Sequence, residues 1–277
     1  MTVLFALIAA ALYGVGDFAG GIASRRRNAI TVLLTSYPVG GVLMLLTLVA
    51  LPGPLSWETV IYGVGGGVLG MLGVVQMYSA LAQAPMNVIS PVTAVLAAIV
   101  PAVFGVAVGE RPAVAAWFGI VLGMIAVFLV SRTPDDHPHG PVAIKVLVMA
   151  LLAGLGFGGY FICLGHAPSN SGAWPIVISR LTAAVGIVPL AWRSRRLGIV
   201  TGRLLAITVL AGVCDAGANL FFLLSARHGL LSLASVITSL YPAATVLLAI
   251  GLLHERTGRL QRVGLGLAAV SIVLITA

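Results

Sequence analysis

Runs of about twenty apolar residues, interrupted by short stretches of glycine, proline and charge, fill this chain from one end to the other. A helix needs about that many residues to cross the hydrocarbon layer of a bilayer. The pattern predicts ten helical spans, over residues 2–23, 30–51, 59–82, 88–108, 113–131, 143–165, 171–192, 203–225, 231–253 and 260–276. The longest polar interval, SRTPDDHPHGP at residues 131–141, reads as a linker and leaves five spans on each side. The predicted organisation is a first five-helix unit at 1–131, a linker at 132–142 and a second unit at 143–277.

The two units share sequence. Residues 90–111, SPVTAVLAAIVPAVFGVAVGER, recur 145 positions later as 235–256, SVITSLYPAATVLLAIGLLHER. Ser90 then corresponds to Ser235, Thr93 to Thr238, Glu110 to Glu255 and Arg111 to Arg256, and Gly119 stays in step with Gly264. Two copies of one membrane unit are the usual construction of a secondary transporter.

Composition sharpens the class. At 60% hydrophobic and 8% charged residues, with a mean hydropathy of +1.14, the chain cannot clothe a soluble globule in polar surface, and lipid asks for none. The expected fold class is an all-α polytopic membrane protein whose partner is the lipid bilayer. The formal charge of +8 does not point to nucleic acid, because the basic residues sit in short clusters between apolar runs, where they set topology. Twelve of the 15 Lys and Arg lie on loops after odd-numbered spans, and two, Arg111 and Arg227, after even ones. The positive-inside rule places the odd loops in the cytoplasm and both termini outside. Since each half has an odd number of spans, the second half enters the membrane in the opposite direction, which makes the repeat inverted and suited to alternating access. Cys163 and Cys214 lie in apolar stretches and read as packing residues. The first run, MTVLFALIAA, lacks a basic leader and reads as a retained helix.

Each half ends in a Ser/Thr-containing fourth helix, a short turn (Gly109, Glu110, Arg111; His254, Glu255, Arg256) and a Gly-containing fifth helix. Gly14, Gly16 and Phe18 in the first helix correspond to Gly156, Gly158 and Tyr160 in the sixth. In these features the chain resembles the EamA-type branch of the drug/metabolite transporter superfamily. The resemblance implies ATP-independent movement of a small metabolite, amino acid or drug-like compound, commonly export, across a cell membrane, with no cofactor. It implies a central cavity lined mainly by the first, third, sixth and eighth helices. Family members often carry an arginine in the second helix; Arg180 matches in the second half, and its partner position holds Tyr37. The family also tends toward cytoplasmic termini, against which stands the arginine imbalance.

Ionisable residues inside spans are costly and usually face a cavity or a partner. Three occur here: Asp17, Arg180 and Asp215. Tyr13 lies one turn before Asp17, so phenol and carboxylate share a helix face and suit a cation or proton site; the alternative is an Asp17 that reaches the interface or caps backbone. Asp215 lies mid-span with Asn219 one turn on, too deep to reach the interface. A carboxyl there can exchange a proton during a transport cycle, whereas pairing with Arg180 would make it a structural ion pair. Gln76 adds a polar position to a third helix rich in glycine, from Gly63 to Gly73, whose small residues permit close packing or a sliding surface. Pro38, Pro91, Pro101, Pro175, Pro189 and Pro242 open the way to kinks or broken helices. Ser90, Thr93, Ser235, Thr238 and Tyr241 offer neutral polar contacts to a ligand, although Ser and Thr commonly bond their own helix backbone.

No catalytic constellation emerges. His137 and His139 beside Asp135 and Asp136 read as an exposed linker rather than a metal site, and His166 and His228 lie at span ends without a nucleophile. The expected function is secondary transport of a small molecule, with proton coupling through a buried carboxyl and a homodimer as an admissible assembly. The rival classes are an intramembrane enzyme and a membrane scaffold without transport.

Overall fold

The computed structural model describes residues 1–84, 86–130, 143–244 and 258–276, and every regular element among them is helical. The first half comprises α1 (Thr2–Arg26), α2 (Ala29–Ala50), α3 (Trp57–Leu81), α4 (Met86–Ala107) and α5 (Val114–Val130). The second comprises α6 (Ile144–His166), α7 (Trp174–Arg193), α8 (Arg203–His228), α9 (Leu231–Thr238) and α10 (Arg259–Thr276). Polar residues at the breaks in the apolar pattern fix the starts of α2 and α3. The Asn28 side chain accepts a hydrogen bond from the Ile30 N–H at the start of α2, and Ser56 Oγ accepts one from the Thr59 N–H, 3.1 Å away, at the start of α3. Each satisfies a first-turn donor that has no partner within the helix.

Six helices, α1, α2, α3, α6, α7 and α8, are long and apolar enough to cross a membrane. In α4, α5, α9 and α10 the described apolar stretches run 10–17 residues, so the ten expected spans divide into six long helices and four with shorter stretches. The ninth is broken. It ends at Thr238, turns at Ser239 and Leu240, and resumes at Tyr241. Pro242 has no N–H to give the Thr238 carbonyl and its ring crowds that position, so the helix gives way one turn earlier. Pro38 and Pro189 lie within continuous helices, and Pro175 occupies the first turn of α7, where a missing N–H costs nothing.

The major pairings of helices are unchanged when the halves are exchanged. α1 packs on α8 as α6 packs on α3; α2 packs on α8 as α7 packs on α3; α4 packs on α6 as α9 packs on α1; α2 with α7, α4 with α9 and α5 with α10 pair with their own counterparts. Corresponding helices also run in opposite directions. α1 starts beside the end of α8, where Ser225 Oγ donates to the Thr2 carbonyl at 2.8 Å, and ends beside Leu81, whose carbonyl Arg25 Nε reaches at 3.5 Å. α2 ends where α7 begins, with the Ala173 N–H donating to the Leu51 carbonyl at 2.9 Å. At the other end of that pair, the Val200 N–H donates to Thr35 Oγ1 at 2.9 Å.

This arrangement sorts charge. Arg25, Arg26, Arg27, Arg193, Arg195, Arg196 and Arg203 collect at the end of the bundle where α1, α3 and α7 finish. Ser271 Oγ donates to the Gly119 carbonyl at 2.7 Å, a register that puts Arg259 and Arg262 at the same end. Arg111 and Arg227 occupy the opposite end, where Arg227 donates to the Gly172 carbonyl at 2.7 Å and to Ser171 Oγ at 3.1 Å.

Glu110 links the halves there. After the turn at Gly109, whose φ of +106° suits glycine, its carboxylate accepts from the Leu231 N–H at 2.6 Å and the Ser232 N–H at 3.0 Å. The acid of the first-half turn thus caps the N-terminus of α9 in the second half, where both the free donors and the helix dipole favour an anion. The counterpart turn, His254 to Arg256, lies outside the described residues.

Candidate functional site

The glycines of α3 bring three helices together. A Cβ on Gly67 would meet the Ser179 carbonyl oxygen of α7 at 2.5 Å, and one on Gly156 of α6 would meet the Leu69 carbonyl of α3 at 2.8 Å. Such approaches are possible only for small residues. With the backbones held this close at the crossings, the larger side chains between them line a central, partly open cavity.

A polar chain runs along one wall. Arg180 of α7 and Asp215 of α8 form an ion pair, Nη1 to Oδ2, at 2.6 Å, and Arg180 is only 7% exposed. Its guanidinium also lies over the Tyr37 ring of α2, 5.4 Å from the centroid, a cation–π contact. One turn along α8, Asn219 Nδ2 donates to the Asp215 backbone carbonyl at 2.7 Å, and Tyr13 of α1 donates its hydroxyl to Asn219 Oδ1. Two charges removed from water at this depth are tolerated because each meets the other and because further groups occupy their neighbourhood. The chain from Tyr37 through Arg180, Asp215 and Asn219 to Tyr13 thereby joins α2, α7, α8 and α1.

Asp17 lines the same cavity from α1 and stands apart from this chain. Among the described residues no basic side chain pairs with it. Tyr78 of α3 presses its hydroxyl against Gly20, one turn from Asp17, so closely that no Cβ has room there. Tyr241, just beyond the break after α9, lies 6.4 Å from Tyr13, centroid to centroid. Tyr160 and Phe161 of α6 complete the aromatic wall.

The EamA-like transporter family model matches residues 1–132 and then again residues 144–277. The chain belongs to the EamA-like transporter family. That membership, with its apolar helices, makes it a multi-pass membrane protein of a transporter family. A solved structure described as "Crystal structure of protein" superposes with a TM-score of 0.80 over 99% of this chain and 98% of that one. Its 16% identity makes this a likeness of fold alone. No curated protein matches the chain.

Of the residues the sequence singled out in this EamA-family chain, the structure brings Tyr13, Asp17, Arg180, Asp215 and Asn219 into one cavity. Gln76 is half-buried on α3 and does not line it, because its position turns away from the face that carries Gly67, Gly70, Met71, Val74 and Tyr78. α1, α3, α6 and α8 line the cavity, as the resemblance implied, and α2 and α7 join them through Tyr37 and Arg180. Thr93 Oγ1 donates to the Ile89 and Ala150 carbonyls and Ser235 Oγ to the Ser232 carbonyl, so these hydroxyls serve backbone and not the cavity. The histidines and acids of the linker lie outside the described residues.

Sequence reasoning passed over Tyr78 as a site residue and weighed Tyr37 and Tyr160 only as repeat partners. Five of the chain's six tyrosines line the cavity, a concentration that gives it its character. For Tyr37 and Tyr160 the available signal was depth: tyrosines favour the membrane interfaces, and one within a span needs a polar reason to be there.

Proposed function

We propose that the protein is a secondary transporter whose ten helices form two inverted five-helix repeats, each spanning the membrane of the cell, and that a small molecule binds in the central cavity between them. The observation that carries this reading is a central cavity at the junction of two oppositely directed halves, containing a buried ion pair and a separate carboxyl. Rocking of one half against the other about a fixed central site is how such repeats expose a ligand to each side in turn. The arginine-rich end faces the cytoplasm under the positive-inside rule. Asp17 and Asp215 are the groups able to exchange a proton with the cycle, and export is the direction the family favours.

The Arg180–Asp215 contact supports a gating role beside its structural one. A charge pair at the cavity wall can open when a ligand supplies replacement contacts, and its two partners stand on adjacent helices of the second half. Screening metabolites by thermal stabilisation of the purified protein identifies binders, since a ligand of the native state raises apparent stability. Hits are then offered to sealed vesicles containing the protein. Accumulation or release dependent on the protein supports transport. Binding with no movement across a sealed membrane would leave a scaffold, and chemical turnover in detergent would make the protein an enzyme.

A further inference from the structure

The charges along the cavity wall do not balance. Arg180 is engaged by Asp215 at 2.6 Å and covered by the Tyr37 ring, so its positive charge is already matched. Asp17 brings a second carboxylate to the same cavity with no basic side chain paired to it among the described residues. An ionised group held at membrane depth without a counter-charge is expensive, and such residues mark the path of a ligand or ion that supplies the missing charge.

The surroundings of Asp17 favour one sign. Tyr13 shares its helix face one turn earlier, Tyr78 packs its hydroxyl against Gly20 one turn later, and Tyr241 lies 6.4 Å from Tyr13. Tyr78 and Tyr241 line the same cavity as Asp17. The faces of aromatic rings are negative and attract cations, and groups of aromatic rings are a known means of recognising quaternary ammonium. An anion entering here meets an acidic carboxyl and an aromatic lining, and Arg180 is already engaged by Asp215. Gly70, Met71, Val74 and Phe157 add an apolar stretch of lining with no side-chain donors for an uncharged polar body.

We propose that the cavity takes an organic cation with an alkylated or quaternary nitrogen and an apolar body, its charge placed against Asp17 and the rings of Tyr13, Tyr78 and Tyr241. That the cation is then moved across the membrane rests on the transporter reading; that it binds does not.

Three compounds of similar size and opposite charge character separate the possibilities: benzyltrimethylammonium, zwitterionic phenylalanine and anionic phenylpropionate. Binding of each to the full chain in detergent is measured by equilibrium dialysis at one pH and salt concentration. Benzyltrimethylammonium binds saturably and phenylpropionate does not. Asp17→Asn weakens the cation at least about tenfold; Tyr78→Leu weakens it several-fold, within the range of one cation–π contact, and Tyr78→Phe, which keeps the ring, retains most of the affinity. Size-exclusion profile and thermal melting establish that each variant is folded, and if Asp17→Asn is not, the Tyr78→Leu and Tyr78→Phe pair decides. The proposal is overturned by unchanged cation affinity in folded Asp17→Asn, by equal affinities of the two Tyr78 variants, by tighter binding of phenylalanine or phenylpropionate, or by no saturable cation binding to folded protein. Sealed vesicles separate this from the transporter reading. Cation bound but never moved would sink transport and spare the site, whereas movement of phenylalanine or phenylpropionate without cation binding would sink the site and spare transport.

Discussion

Arg180 and Asp215 answer, at the scale of single residues, whether a buried charge serves the fold or the cycle. Removing one partner strands the other at membrane depth, a loss of roughly 3–5 kcal/mol in soluble proteins, while removing both leaves no uncompensated charge. Asp215→Asn is therefore expected to lower the melting temperature clearly, and Asp215→Asn with Arg180→Gln to recover much of it, a non-additivity that marks direct coupling. If Asp215 also couples transport, the double variant melts normally and still fails to move substrate; normal transport by the double variant would restrict the pair to packing and leave Asp17 as the acid in the mechanism. The residues of this pair were legible in the sequence because charge inside an apolar run has few explanations. Tyr78 was not, since a tyrosine at the end of a span is ordinary and only the packing of α3 against Gly20 brings it to the cavity that Asp17 lines. Glu110 was legible as a motif and not as a mechanism, because the N–H groups it caps lie 121 and 122 residues away. Glu110→Ala removes two charge-assisted hydrogen bonds and is expected to cost about 1–3 kcal/mol, read as a lower melting temperature, with Glu110→Gln losing less. An unchanged melting point in Glu110→Ala would deny the cap any energetic part.

Among the elements, α3 shows why helix boundaries can be read from a membrane sequence more readily than helix partners. The boundaries follow from polar residues that interrupt apolar runs, and the expected third span, 59–82, differs from Trp57–Leu81 by two residues or fewer. The inward face does not follow, because a helix that is apolar all round shows no stripe to mark the side that meets protein. What did mark it was glycine. Gly67 sits where α3 crosses α7, with the Ser179 carbonyl 2.5 Å and Thr182 Cβ 2.6 Å from the place a Cβ would occupy. Gly67→Ala must push the backbones apart, an overpacking cost of about 1–3 kcal/mol, and it should lower thermal stability. Gly266 of α10 has nothing near its missing Cβ, so Gly266→Ala provides the control and is expected to leave stability unchanged or slightly raised. Equal melting temperatures for the two variants would remove helix approach as the reason for glycine on α3.

The whole molecule is governed by a symmetry that the sequence carries twice, once as a repeated string and once as a pattern of charge. Repetition at a fixed offset says that two units share a fold. It does not say how they face each other, and the odd number of predicted spans per unit, with the shift of the arginine clusters from the first loop of one half to the second loop of the other, supplies that. In the structure the two statements meet: exchanging the halves preserves every major helix pairing, and the arginine clusters of both halves arrive at one end of the bundle. Neither follows from the other, since a pair of parallel repeats would have divided the arginines between the ends. Their agreement makes the orientation in the membrane testable with two positions. A cysteine introduced beside Arg195, at the arginine-rich end, is expected to resist a membrane-impermeant thiol reagent applied to intact cells and to react once the cells are opened. A cysteine beside Glu58, at the start of α3 and the opposite end, should react in both conditions. Because Cys163 is half-buried and Cys214 buried, both are replaced first so that the signal belongs to the introduced thiols. The reverse labelling would place the arginines outside and overturn the charge argument, and equal labelling at both positions would mean that the chain inserts in two orientations.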